Sequence, residues 1–113
     1  MKKSILIADD DQDLSELIGM VFYQLGYLPV CVTNCEDALL KINSVDLVII
    51  DSFDKKEFEI AKFCQKKNIP CIYHTGRLDI TDEEYYMFDS VIEKPGMNCL
   101  IKIVNKLISK IAV

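Results

Sequence analysis

Asp46 to Ile50 (DLVII) and Ser4 to Ala8 (SILIA) are short apolar runs without polar alternation, and an acid closes each of them, Asp51 and Asp9 respectively. A strand that is apolar on both faces must be covered on both faces. That places it inside a parallel sheet with helices packed above and below. The remaining segments supply the cover. Leu14 to Leu25 has apolar residues at 14, 17, 18, 21, 22 and 25, the spacing of one helical face, and Gly26 stands where such a helix ends. Leu28 to Val32 reads as a second strand. Thr33 and Glu36 have capping-box spacing at a short helix over Glu36 to Ile42, and Asp54 and Glu57 repeat that spacing at a helix running to about Lys67. Ile69 to His74 reads as the fourth strand, Thr81 and Glu84 as caps of a short helix through Phe88, and Ser90 to Ile92 as a brief fifth strand. Met97 to Ile111, apolar at 97, 100, 101, 104, 107, 108 and 111, closes the chain as an amphipathic helix.

Five strands alternating with five helices predict an α/β, doubly wound fold with right-handed crossovers. The expected sheet is flavodoxin-like: five parallel strands in the order 2-1-3-4-5, with the fourth helix short. At 113 residues, the whole of 1–113 is expected to form a single domain, since a domain takes roughly 150 residues. Hydrophobic residues make up 50% and charged residues 27%, a balance that builds a core and argues against disorder. The net charge of −5 argues against direct nucleic-acid binding, where a basic face supplies most of the affinity. No apolar run approaches the roughly 18 residues of a membrane span. The apolar stretch after Lys2 and Lys3 ends at Asp9, too soon for a signal peptide. A cytoplasmic protein without a membrane partner is the expectation. The five cysteines are odd in number and contain no Cys-x-x-Cys pair, so they read as small buried hydrophobes and not as a disulfide framework. Cys31 and Cys35 with His74 are too thin a set for zinc.

In a doubly wound sheet, sites form at the carboxyl ends of the strands. There the sequence places Asp9, Asp10, Asp11 and Asp13 after strand one, Asp51 after strand three, Thr75 and Gly76 after strand four, and Lys94 and Pro95 after strand five. Carboxylates converging from strands one and three repel each other unless protons or cations intervene. Their hard oxygens suit Mg²⁺, which completes its shell with water and substrate phosphate. An ammonium from Lys94, a hydroxyl from Thr75 and the Gly76 N–H would neutralise a phosphoryl group arriving at a free carboxylate. Asp as the nucleophile of an aspartyl phosphate is an established route. The Asp9, Asp11, Asp13 alternation has EF-hand spacing, but Leu14 and Met20 stand where that loop needs Gly and Glu.

ILIADDD, DLVIIDS, YHTG and IEKP, in that order, resemble the four signatures of a response-regulator receiver domain, and the likeness spans the chain. The resemblance implies a stand-alone phosphoacceptor, not an enzyme beyond its own phosphorylation and dephosphorylation. Asp51 would take a phosphoryl group from a histidine kinase or phosphotransfer protein. Asp9, Asp10, Asp51 and the backbone carbonyl of Phe53 would hold Mg²⁺, and Thr75 and Lys94 would contact the phosphoryl oxygens. Lys94–Pro95 would be cis, aiming the lysine into the site. Output would pass to a downstream protein target or by onward phosphotransfer, from a monomer or weak dimer. The first helix would meet the phosphodonor, and the fourth helix, fifth strand and fifth helix would meet the target.

The chain departs from the family at three places. Ser52, Phe53, Asp54 and Lys55 follow Asp51, where the family usually has a Met-Pro pair; Phe53 is expected to shield the phosphoryl group from water. Val91 stands three residues before Lys94, at the position of an aromatic that reports phosphorylation, with Tyr85, Tyr86 and Phe88 nearby as replacements. The segment from Thr75 to Lys94 is shortened. Two other functions follow from the same residues. One is a degenerate receiver that binds a protein without phosphorylation. The other is a haloacid-dehalogenase-type phosphatase using Asp9 and Asp11, although Asp13 stands where that family has Thr.

Overall fold

The computed structural model describes residues 2–111. Its elements are β1 (Ser4–Ala8), α1 (Gln12–Gln24), β2 (Leu28–Val32), α2 (Cys35–Lys41), β3 (Leu47–Ile50), α3 (Lys56–Lys67), β4 (Cys71–Thr75), α4 (Asp82–Tyr85), β5 (Ser90–Glu93) and α5 (Met97–Ile111), with one 3-10 turn at Ile42–Ser44. The five strands form one parallel sheet in the order β2-β1-β3-β4-β5, as the alternation predicts. The continuous apolar runs β1, β3 and β4 occupy its buried centre, while β2 and β5 form its partly exposed edges.

Alternate residues of each strand feed two separate cores. Ile5, Ile7, Leu47, Ile49 and Ile72 meet Ile18 and Phe22 of α1 and Leu100, Val104 and Ile108 of α5. Leu6, Val48, Ile50, Cys71 and Tyr73 meet Ala38 of α2, Ile60, Ala61 and Cys64 of α3, and Phe88. Cys35, Cys64 and Cys71 are buried as the sequence implies, whereas Cys31 and Cys99 are exposed. Among the described residues no helix is long and apolar enough to cross a membrane.

Helix ends show where local spacing is informative. Asp11 caps α1, accepting from the Leu14 N–H at 3.1 Å. Gly26 takes the left-handed conformation (φ 97°) that closes this helix. Thr81 and Glu84 form the expected capping box, but α4 stops at Tyr85, so Phe88 lies beyond the helix. Two expectations are corrected. Asn34, not Thr33, caps α2, because its side-chain oxygen reaches the Asp37 N–H at 2.8 Å. Asp54 and Glu57 form no capping box: Asp54 and Lys55 are left-handed (φ 51° and 73°), and Glu57 turns into the core.

Candidate phosphoacceptor site

The register of the central strands assembles the site. Ala8 pairs with Ile50, and the Asp51 N–H donates to the Ala8 carbonyl at 2.9 Å. Asp9 and Asp51 therefore leave adjacent strands side by side. On the far side, the Lys94 N–H donates to the Thr75 carbonyl at 2.9 Å, extending the β4–β5 ladder by one residue. The Lys94–Pro95 peptide is cis, as the resemblance implies. Gly96 follows with φ 42°; a Cβ there would lie 2.6 Å from the Glu93 carbonyl oxygen, so the turn admits no side chain.

Lys94 Nζ lies 2.9 Å from Asp9 Oδ2 and 2.9 Å from Asp51 Oδ2. Oxygens of Asp9, Asp10 and Asp51 all lie within 4.8 Å of one another. Asp9 and Asp51 are buried, at 2% and 8% exposure, while Asp10 faces solvent. Burial pushes the Asp51 carboxyl above its ordinary value, and the Asp9 charge adds to that. Hydrogen bonds from Lys94 and the Ser52 backbone pull against it. Burial alone would lower the Lys94 ammonium, but its bonds to Asp51 and Asp9 outweigh that and hold it above its ordinary value. Three carboxylates against one ammonium leave negative charge in excess. That surplus, with hard oxygens on two buried side chains and one exposed one, fits a magnesium-like cation open to water on one side. Asp11 is not part of this cluster. It caps α1, and its N–H donates to Asp9 Oδ1 at 2.9 Å, which fixes the orientation of Asp9.

Two anticipated groups are engaged elsewhere. The Phe53 carbonyl accepts from the Lys56 N–H at 3.0 Å, and the Phe53 ring packs, half-buried, on the α2–α3 core. A cavity of about 200 Å³ opens beside it, lined in part by Asp10, Ser52 and Lys56. The Thr75 hydroxyl lies 2.9 Å from Ser52 Oγ and accepts from the Arg77 N–H at 3.1 Å. Ser52 Oγ also lies 2.8 Å from the Tyr73 hydroxyl, which donates to Glu57 Oε2 at 2.7 Å. Glu57 Oε1 accepts from the Phe53 N–H at 2.9 Å. Ser52, Glu57, Tyr73 and Arg77 were not anticipated from sequence. The signals were there: a Tyr inside an otherwise apolar strand, and an acid in helical step with Ile60, Ala61 and Cys64.

No family model and no curated protein matches the chain. Solved structures do. The response regulator TrrA from Thermotoga maritima, in complex with Mg²⁺-BeF, aligns with a TM-score of 0.83 and 30% identity, over 95% of this chain and 99% of that one. The chain belongs to the response-regulator receiver family. The receiver domain of Francisella response regulator 1452 aligns at 26% identity and a TM-score of 0.82, over 96% of this chain and 98% of that one. A two-component response regulator from Clostridium difficile shares the fold at a TM-score of 0.84 and 21% identity, over 99% and 100% of the two chains.

The aromatic nearest to Val91 across the sheet lies one strand away. Tyr73 is the register partner of Val91, and it stacks on Phe88 with ring centroids 4.5 Å apart. Tyr85 and Tyr86, the nearby alternatives, are exposed.

Proposed function

We propose that this receiver takes a phosphoryl group onto Asp51 from the phosphohistidine of a kinase or phosphotransfer protein, and signals by binding a partner or passing the group onward. The observation that carries this reading is the Lys94 ammonium, 2.9 Å from both Asp9 and Asp51 and surrounded by the three-carboxylate cluster. An Asp51 oxygen attacks phosphorus, the O–P bond forms, the N–P bond of phosphohistidine breaks, and the imidazole leaves with a proton. Burial strips water from Asp51 on one side, while Lys94 keeps it charged and oriented for attack. As negative charge moves from the carboxylate to the phosphoryl oxygens, Lys94 is placed to follow it. Thr75 donates its hydroxyl to one of those oxygens. Asp9, Asp10 and Asp51 would hold Mg²⁺, joined by the second lone pair of the Phe53 carbonyl, whose first accepts from the Lys56 N–H; when bound the ion supplies further neutralisation of phosphoryl charge. Phe53, two residues after the acceptor and lining the cavity shared with Asp10 and Ser52, would limit the approach of hydrolytic water.

Intact-mass measurement after acetyl phosphate and Mg²⁺ tests this. Wild type should gain one phosphate and Asp51→Asn none; no gain in wild type, or a gain retained by Asp51→Asn, would overturn the assignment. Omitting Mg²⁺ should abolish the gain. Lys94→Met should slow it by about 10²-fold, the scale set by removing one preorganised charge-stabilising group. Phe53→Asn should shorten the lifetime of the phosphorylated form, and an unchanged lifetime would remove the shielding role.

A further inference from the structure

Three hydroxyls stand in a row between the site and α4, and their proton directions are fixed from one end. Ile50 pairs with Tyr73 across β3 and β4, so two residues further along Ser52 stands beside Thr75. Tyr73 spends its single hydroxyl proton on Glu57 Oε2 at 2.7 Å. At the 2.8 Å contact between Ser52 and Tyr73 the proton must then come from Ser52. Ser52 has no second proton, so at its 2.9 Å contact with Thr75 the donor is Thr75. The order is Thr75 to Ser52 to Tyr73 to Glu57. Arg77 supports both ends, with its backbone N–H on Thr75 at 3.1 Å and Nη1 on the Tyr73 oxygen at 3.2 Å. In this arrangement the only hydroxyl proton of Thr75 is held by Ser52.

We propose that Ser52 is a positioning residue: it latches the Thr75 hydroxyl in the resting receiver and couples its release to α4. A phosphoryl group on Asp51 and Ser52 compete for one proton. When Thr75 turns to the phosphoryl oxygen, Ser52 loses its donor and the Arg77 N–H loses a fixed acceptor. Arg77 is also the residue that grips α4, through two N–H bonds to Glu84, each 3.2 Å. The four-residue α4 contributes no buried side chain of its own, so polar ties of this kind hold it in place. Glu84 Oε1 serves at the same time as half of the capping box, accepting from the Thr81 N–H at 3.1 Å. A shift of Arg77 is therefore a shift in the support of the whole helix. The proposal rests on the assignment of Asp51 as acceptor and of Thr75 as a phosphoryl contact.

The test is beryllofluoride with Mg²⁺, titrated into the isotope-labelled protein and followed by amide NMR at Arg77, Thr81 and Glu84. Wild type should bind and shift all three. Ser52→Ala frees the Thr75 proton in advance, so binding should tighten about three- to tenfold, the worth of one neutral hydrogen bond, and the Glu84 shift should shrink. Ser52→Thr keeps a hydroxyl and should return both toward wild type. Tyr73→Phe lets Ser52 donate to Thr75 instead, and should also tighten binding. On a Thr75→Ala background, Ser52→Ala should change nothing further. Affinity unchanged or weakened in both Ser52→Ala and Tyr73→Phe, with wild type binding normally, would overturn the latch. Failure of wild type to bind, or undiminished binding by Asp51→Asn, would instead strike the acceptor assignment.

Discussion

The two faces of the sheet are built from different materials. The α1–α5 side is a mainly aliphatic layer with one buried aromatic: Ile5, Ile7, Leu47, Ile49 and Ile72 pack on Ile18, Phe22, Leu100 and Val104. The α2–α3 side buries comparable apolar residues but adds Cys64, Cys71, Phe88 and the hydroxyl row that runs from Thr75 to Glu57. Apolar packing has no alternative partners to exchange, so the first layer fixes where the strand ends stand. Hydrogen bonds can be traded one for another at small net change, so the second layer can respond to what arrives at Asp51. A receiver needs both: strand ends that hold Asp9, Asp51 and Lys94 in place, and a neighbour able to register a new charge.

The largest effect should come from the aliphatic layer. Phe22 is fully buried, and Phe22→Ala should cost about 3–5 kcal/mol by urea denaturation, since the cavity cannot collapse between α1 and the sheet. Any folded fraction should still be phosphorylated, because Phe22 touches none of the site residues named above. Next comes the polar layer. Glu57→Leu leaves the Phe53 N–H without an acceptor and turns the Tyr73 hydroxyl back onto Ser52, and should cost about 1–3 kcal/mol. Glu57→Gln, which keeps one acceptor oxygen, should cost less. If Glu57→Leu were as stable as wild type, the contrast between the faces would be one of composition only, without energetic weight.

The aliphatic face was legible in sequence and the polar one was not, for a physical reason. Strand periodicity and helix stripes are local, so DLVII and the Leu14 to Leu25 face announce themselves, and the observed strand order is the flavodoxin-like one expected of a doubly wound sheet. The acids and Lys94 were legible because strand ends are the expected place for a site in this architecture. Glu57 was misread because Asp54 three residues earlier imitates a capping box. What decides its direction is Tyr73, sixteen residues away on β4, which no local spacing reveals. Thr33 against Asn34 is a different kind of error. Both residues are good caps, and only the backbone decides which one faces the helix.

A smaller effect, of opposite sign, belongs to the loop on the polar side. Lys55 holds φ 73° with a full side chain, in a region that glycine occupies without steric cost. Lys55→Gly should therefore stabilise the protein by up to about 1 kcal/mol, the relief of strain exceeding the entropy gained by the unfolded chain. A loss of stability would mean that the lysine side chain contributes more than its backbone costs. Asp54, at φ 51°, should gain less from the same change, since Asp tolerates this region better.

The smallest effect tests the one histidine, which by alternation along β4 faces the aliphatic side with Ile72. His74 is buried, and its Nε2–H donates to the Pro95 carbonyl at 2.8 Å. Burial lowers its pKa below the ordinary 6.5; the Lys94 charge adds to this, while the Pro95 bond and the Asp9 charge partly offset it. The folded protein therefore binds fewer protons at this site than the unfolded chain does between 6.5 and the lower folded value. Stability from this group is complete above pH 6.5 and falls as the pH drops through that window. His74→Gln can keep a donor for Pro95 without titrating, so it should flatten this part of the stability profile. Parallel profiles for wild type and His74→Gln between pH 7 and 5 would show that the aliphatic face accommodates the imidazolium, and would erase that part of the distinction between the two sides of the sheet.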